Sequence, residues 1–234
     1  MTDLRRVVMK TQPGDSTKLD SVSQEFHDAC EQLHTSEFLP SDYRYNLTIS
    51  HDRQFVWFRV AKVATRTILN HLRENAGPLD MDHAMFVHYP VNLCREYFKF
   101  AFVRNPWDRL VSCWQNKVVD ENFFRFKETT RQRLMKFDNF VEYVGALDIE
   151  NCDHHLRLQS RLIDLNHLDF LGRFEKFEKD YSYVCQVLDI PDLNGQQRNK
   201  SARSNDLNEY YSAGLRDAVF KIYERDIRLF NYCL

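Results

Sequence analysis

Glycine and proline are scarce, with six of each in 234 residues. That excludes a collagen-like or linker-rich chain and argues against extended disorder. A basic excess is also missing. Lys and Arg number 32 against 34 Asp and Glu, for a net charge of −2. Nucleic-acid binders usually carry a strong positive balance, so no nucleic-acid partner is expected. Any anion site must then be a local cluster. The six cysteines, Cys30, Cys94, Cys113, Cys152, Cys185 and Cys233, contain no CxxC pair. A dense disulfide framework is not expected in a chain of this length, and reduced, buried thiols are. No apolar run approaches the ~20 residues that span a bilayer, so no transmembrane segment is expected. Residues 1–18 are polar and lack the apolar core of a signal peptide, so a cytoplasmic location is expected and the acceptor triplets Asn46-Leu47-Thr48 and Asn199-Lys200-Ser201 read as chance matches.

What is present is an ordinary globular mix, 43% hydrophobic and 28% charged, with aromatics high at 14%. Apolar residues Leu19, Val22, Phe26, Cys30 and Leu33 recur at helical spacing and predict an amphipathic helix over 19–34. Residues 1–43 read as a leader plus this helix, and 44–234 as one domain. Strands are predicted at 45–50 and 55–60, with His51-Asp52-Arg53-Gln54 turning between them. A helix is predicted from Arg66 to Ala76, stopped by Gly77-Pro78. Residues 79–97 are mixed. A buried strand is predicted at 98–103, and a helix starting at Pro106 carries Leu110, Val111, Trp114 and Val118. Residues 121–136 read as a surface excursion, and Asp138 as the cap of the next helix. A strand at 169–174, a helix at 177–188, a polar loop at 192–206 and a last helix over 207–229 complete the chain. Strands alternating with helices predict a single α/β domain, a mainly parallel sheet flanked by helices, with ligands at the carboxyl ends of the strands.

Two segments carry chemistry. The first, 55–69, is strand, turn, helix, and the turn holds Lys62, Thr65, Arg66 and Thr67. Backbone N–H groups at a helix N-terminus, with a Lys point charge and Thr hydroxyls, make an anion cradle. A triphosphate loop needs Gly-x-x-x-x-Gly-Lys-Ser/Thr, and no glycine occurs from 55 to 76. The bland alternative is a surface turn that carries basic residues. In the second, 98–114, Arg104 ends a strand and Ser112 lies eight residues on, about two helical turns along. A bend at Pro106 lets both converge on one anion. The bland alternative is Arg104 in an ion pair and Ser112 as a tolerated helix residue.

Taken together, the two units resemble the carbohydrate sulfotransferases that use 3'-phosphoadenosine-5'-phosphosulfate (PAPS), in the branch of the chondroitin 4-O- and heparan 2-O-sulfotransferases and their bacterial relatives. The run Phe102-Val103-Arg104-Asn105-Pro106-Trp107-Asp108-Arg109-Leu110-Val111-Ser112 resembles that family's 3'-phosphate motif. The strand and Lys-containing turn resemble its 5'-phosphosulfate loop. Further likeness runs through 155–160, 169–175, 199–201 and 210–232. The resemblance implies a P-loop-like sulfotransferase fold and transfer of a sulfuryl group to a hydroxyl, with a carbohydrate as acceptor and adenosine 3',5'-bisphosphate as product.

Carried onto this chain, the resemblance places Lys62, Val63, Ala64, Thr65, Arg66 and Thr67 at the 5'-phosphosulfate, and Arg104 and Ser112 at the 3'-phosphate. Arg198, Lys200 and Ser201 would close over the donor, and His155 and Gln159, taken as substrate-binding, would sit near the acceptor or the donor. No metal is required, because basic side chains supply the positive charge. A histidine suits the general base at neutral pH. His88 and His83 lie between the motifs, and His88, before Tyr89-Pro90-Val91, is favoured because bacterial relatives carry a His about there. Where that family has small residues after the His, this chain has Tyr and Pro. Cys152-Asp153-His154-His155 invites a metal reading, but adjacent His residues on a helix point about 100° apart, and zinc pairs sit three to five residues apart. Two other readings are a nucleotide or metabolite kinase, which the missing glycine loop opposes, and a non-catalytic binding module, which the joint presence of Lys62, Arg104 and Ser112 opposes. A small-molecule alcohol is the alternative acceptor.

Overall fold

A computed structural model describes residues 39–193 and 206–233. The helix expected over 19–34 and the donor-closing residues Arg198, Lys200 and Ser201 lie outside the described residues. The chain forms two compact units, a sheet unit and a helical unit.

The described sheet unit comprises 39–60, 64–103 and 162–193. Its five strands are β1 Tyr45–Ser50, β2 Phe55–Phe58, β3 Met81–Val87, β4 Phe98–Val103 and β5 Phe170–Arg173, in the order β3-β1-β2-β4-β5. β2, β4 and β5 pair in parallel, while β1 pairs antiparallel with β2 and with β3. The sheet is therefore mixed, with a parallel half built by crossovers and an antiparallel half built by the β1–β2 hairpin. Every residue of β1 and β2 is buried, as expected for central strands covered on both faces. Helices α1 Thr65–Asn75 and α5 Phe177–Leu188 belong to this unit. His71 of α1 meets the Tyr181 hydroxyl of α5 at 3.0 Å. Phe102 packs on Phe177 and Tyr181. It also explains Gly172: a Cβ there would meet the Phe102 ring at 2.3 Å.

The strand expected over 55–60 stops at Phe58, and that expected over 169–174 is Phe170–Arg173. β3 lies in a stretch the sequence left unassigned. Its burial alternates irregularly and its pairing with β1 shifts register twice, which blurs the period-two signal of a strand.

The described helical unit comprises 61–63, 104–161 and 206–233. It holds α2 Pro106–Trp114, a π-helical continuation Gln115–Asp120, α3 Glu128–Leu134, α4 Phe137–Gly145 and α6 Ala213–Leu229. Asn105 caps α2, its side-chain oxygen accepting from the N–H groups of Trp107 and Asp108, with Pro106 at the first position. Leu110, Val111, Val118, Leu134, Phe140, Val144 and Tyr223 share one core.

Three expectations fail here. The excursion at 121–136 contains α3, whose buried Leu134 is masked in sequence by the charged residues around it. Asp138 is not a cap: α4 starts at Phe137 after Lys136, and Asp138 lies in its first turn. The last helix is broken. A short 3-10 turn, Leu207–Glu209, precedes α6, whose cap is Ser212. The Tyr211 hydroxyl donates to the Trp107 carbonyl at 2.9 Å, and this anchor interrupts the helical run.

Candidate active site

The turn after β2 is where the helical unit meets its first functional side chain. Lys62 has φ of +73° and Ala64 φ of +64°. Neither is glycine, and a left-handed backbone costs a residue with a Cβ roughly 1–2 kcal/mol. Two arginines hold part of this turn. Arg104 donates to the Lys62 carbonyl at 3.0 Å, and Arg109 donates to the Ala61 carbonyl at 3.2 Å. In a trans peptide the N–H points opposite to the carbonyl. The N–H groups of Lys62 and Val63 therefore face away from the arginines, the orientation an anion cradle needs.

Both arginines are nearly fully buried. Arg104 also donates to Asp108 at 2.6 Å, one helical turn on, so the ion pair foreseen as the bland alternative exists. Its backbone is gripped at both ends by one side chain. The Arg104 N–H donates to Gln159 Oε1 at 3.0 Å, and Gln159 Nε2 donates to the Arg104 carbonyl at 2.9 Å. Gln159, expected near the acceptor or the donor, is fully buried with both amide groups engaged. It positions Arg104. Gln159 is in turn held by Asp226 of α6, which accepts from the N–H groups of Gln159 and Ser160 at 2.5 and 3.0 Å. Burial raises the Asp226 pKa, against these hydrogen bonds.

Arg109 was not singled out by sequence, although it stands inside the most specific run. Besides Ala61 it donates to the carbonyls of Arg157 and His154, both at 2.9 Å. One guanidinium thus ties the Lys62 turn, α2 and the 154–157 segment together, using the fork geometry that lysine lacks.

The Lys62 ammonium donates to Asn116 Oδ1 at 2.8 Å. Burial lowers its pKa to about 8. Nearby Cys113 and Glu121 raise it, and the charges of Lys117 and Arg104 lower it. Ser112 is half-buried on α2. Val63 is buried, Ala64, Thr65 and Thr67 are half-buried, and Arg66 is exposed. Thr65 opens α1, and its hydroxyl donates to the Val60 carbonyl at 2.6 Å.

The segment 153–155 is a turn rather than a helix. The angular argument against neighbouring histidines therefore does not apply. The rings of His154 and His155 lie 4.1 Å apart, and one atom each of Asp153, His154 and His155 fall within 4.8 Å of one another. His155 Nδ1 lies 2.8 Å from Asp153 Oδ1. Burial lowers the pKa of both histidines, that of His154 to about 3, and neighbouring cations push the same way: Arg109 and Arg157 at His154, Lys117 and Lys62 at His155. These cations oppose a further positive ion at the cluster. The same coupling brings His155 into the electrostatic reach of Lys62, which sequence could not reveal.

His83 and His88 belong to the sheet unit. β3 runs parallel to β2, through β1, so His88, just past Val87, stands at the carboxyl edge of the sheet. Its Nδ1 lies 2.7 Å from the Ser41 carbonyl. His83 is exposed within β3, and its pKa is lowered by the partial desolvation of its ring and by the Arg59 charge.

A buried pair of guanidiniums and a strained turn that carries Lys62 stand together beside a capped helix in an α/β protein. Residues 45–233 match the model of the sulfotransferase family, and the chain belongs to it; the protein is a sulfotransferase. Among curated relatives it is similar to carbohydrate sulfotransferase 11 of Mus musculus, 24% identical over 82% of this chain and 68% of that protein. It is also similar to carbohydrate sulfotransferase 8 of Homo sapiens, 29% identical over 58% of this chain and 39% of that protein. For carbohydrate sulfotransferase 14 of Homo sapiens the identity is 27%, over 62% and 47% respectively. No solved structure matches. Among the described residues no helix is long and apolar enough to cross a membrane.

Proposed function

We propose that this protein transfers a sulfuryl group from PAPS to a carbohydrate hydroxyl. The observation that carries the reading is the Arg104 clamp on the Lys62 carbonyl, which joins the two motifs into one cationic site. The residues fit a donor with two anionic ends: Lys62 and Arg104 present positive charge, and the turn presents backbone N–H groups. The relatives' names, and the family, support a sugar acceptor and PAPS as donor.

In this reading Lys62, with Thr65, Arg66 and Thr67 next along the chain, binds the 5'-phosphosulfate. Arg104 and Ser112 take the 3'-phosphate, which separates PAPS from ordinary adenine nucleotides. During transfer the S–O bond to the donor phosphate breaks and an S–O bond to the acceptor oxygen forms. Lys62 stabilises the negative charge that develops on the leaving phosphate oxygen, as cationic groups do in phosphoryl transfer. His88 takes the proton of the acceptor hydroxyl, and His155 contacts the acceptor. A second reading places the base at His155, because Asp153 orients its ring and its charge coupling reaches Lys62.

Calorimetry with adenosine 3',5'-bisphosphate and with ATP tests the donor assignment. Tight binding of the bisphosphate and weak binding of ATP are expected. Preference for ATP, or no binding of either, would refute it. An acceptor screen with labelled PAPS then tests the sugar assignment.

A further inference from the structure

The π-helical turn that continues α2 has a side-chain pattern that an α-helix could not make. Gln115 donates to Asp120 at 2.7 Å, and Asn116 donates to Glu121 at 3.1 Å. Both pairs are five residues apart. On an α-helix such residues stand about 140° apart around the axis. In a π turn they fall on one face, and the backbone bond from the Glu121 N–H to the Asn116 carbonyl, at 3.2 Å, closes that turn. The widened turn therefore brings Glu121 onto Asn116.

Asn116 then has a partner of fixed polarity on each side. Lys62 can only donate, and it donates to Asn116 Oδ1 at 2.8 Å. An ionised Glu121 can only accept, and it accepts from Asn116 Nδ2. Reversing the amide would set NH₂ against ammonium and oxygen against carboxylate, so the two neighbours permit one orientation. Lys117 donates to the other oxygen of Glu121 at 3.3 Å and lies 4.1 Å over the Phe123 ring. This ion pair holds Glu121 in place.

We propose that Asn116, Glu121 and Lys117 form a positioning relay for Lys62, in which the amide fixes the direction of the ammonium and the carboxylate acts on it through the amide rather than by direct contact. The arrangement has a chemical reason. A carboxylate bonded to Lys62 would neutralise the cation that must face an anionic donor. A neutral amide oxygen takes one of its three N–H bonds and leaves the charge for the transferring group. The inference rests on the reading of Lys62 as the charge-stabilising residue.

The charged or titratable groups acting on Lys62 include Cys113 and Arg104 with α2, and Lys117 and Glu121 with the π turn, and His155 of the 153–155 segment is coupled to it as well. Glu121 raises its pKa and Lys117 lowers it. The test follows the Lys62 side chain by NMR titration in the unliganded protein, so the first readout needs no turnover. Glu121→Gln should lower the Lys62 pKa, and Lys117→Gln should raise it. In PAPS assays the alkaline limb of kcat should move in the same two directions. Asn116→Ala should lower kcat about 10-fold with bisphosphate affinity unchanged. Glu121 is half exposed and Lys117 is largely covered, and Gln keeps a polar end of similar length at both positions, so the two Gln variants should fold. Shifts of the same sign, or none, overturn the relay. Full turnover by Lys62→Ala instead overturns the parent reading, whatever the titrations show.

Discussion

The Arg104 guanidinium donates to the carbonyl of Lys62 at 3.0 Å, across 42 positions of sequence. Arg109 repeats the move one residue earlier, on Ala61. The left-handed backbone at Lys62 is therefore held from outside the turn, by the helix that follows the next motif. Strain stored in this way persists only while its partners are in place.

Replacing Lys62 should separate chemistry from binding. Lys62→Ala is expected to lower kcat by about 100-fold or more, while calorimetry shows adenosine 3',5'-bisphosphate still bound. Turnover within a few-fold of the parent protein would remove Lys62 from the mechanism.

The pH dependence follows from its environment. Burial lowers the Lys62 pKa to about 8. The ammonium is charged below that pH and neutral above it, so kcat should fall as pH rises through about 8. A profile flat to pH 10 would show that the charge on Lys62 is not needed.

Arg109 is the structural counterpart. Its three carbonyl partners lie on two stretches of the helical unit, the Lys62 turn and the 154–157 segment, and lysine can reach only some of them. Arg109→Lys should cost about 3 kcal/mol or more, a loss of roughly 10 °C in Tm for a chain of this size. Thermal unfolding measures it, and a change under 2 °C (about half a kcal/mol) would contradict the rivet.

His154 should make the protein acid-sensitive. Burial, then the His155 charge, depress its pKa from 6.5 to about 3. As pH falls below 6.5 the unfolded chain takes the proton first, so stability declines progressively from about pH 6.5 toward about 3. His154→Asn should flatten that part of a Tm-against-pH curve; an unchanged slope would place the acid sensitivity elsewhere.

The two base assignments make opposite forecasts. With His88 as base, His88→Ala lowers kcat by about 100-fold, and His155→Ala mainly raises the acceptor KM. The reverse result moves the base to the Asp153–His155 pair.

Much of this was legible in the chain. The hairpin of β1 and β2, the buried β4, the Pro106 helix start and the 177–188 helix each follow from short-range patterns: aromatic and β-branched runs, a cap with Pro, a period of 3.6. The run from Phe102 to Ser112 pointed to the family, and Lys62 followed as the cation after the preceding strand. β3 and α3 were not legible, because irregular pairing and a charged helix face carry weak periodicity. The grip of Gln159 on Arg104 was hidden for a different reason. Sequence shows an amide but not what its two ends touch, and here both ends are spent on the backbone of Arg104.

Sequence by itself determined the kinds of group available, a cation after one strand and a guanidinium after the next, because residue type and local spacing are encoded in adjacent positions. Only the tertiary structure decided that Arg104 and Arg109 grip the Lys62 turn, that Gln159 brackets the Arg104 backbone, and that a widened helical turn sets Asn116 and Glu121 on one face. Those relations depend on distances between residues far apart in the chain, or on one extra residue in a turn. Neither leaves a periodic signal in the order of amino acids.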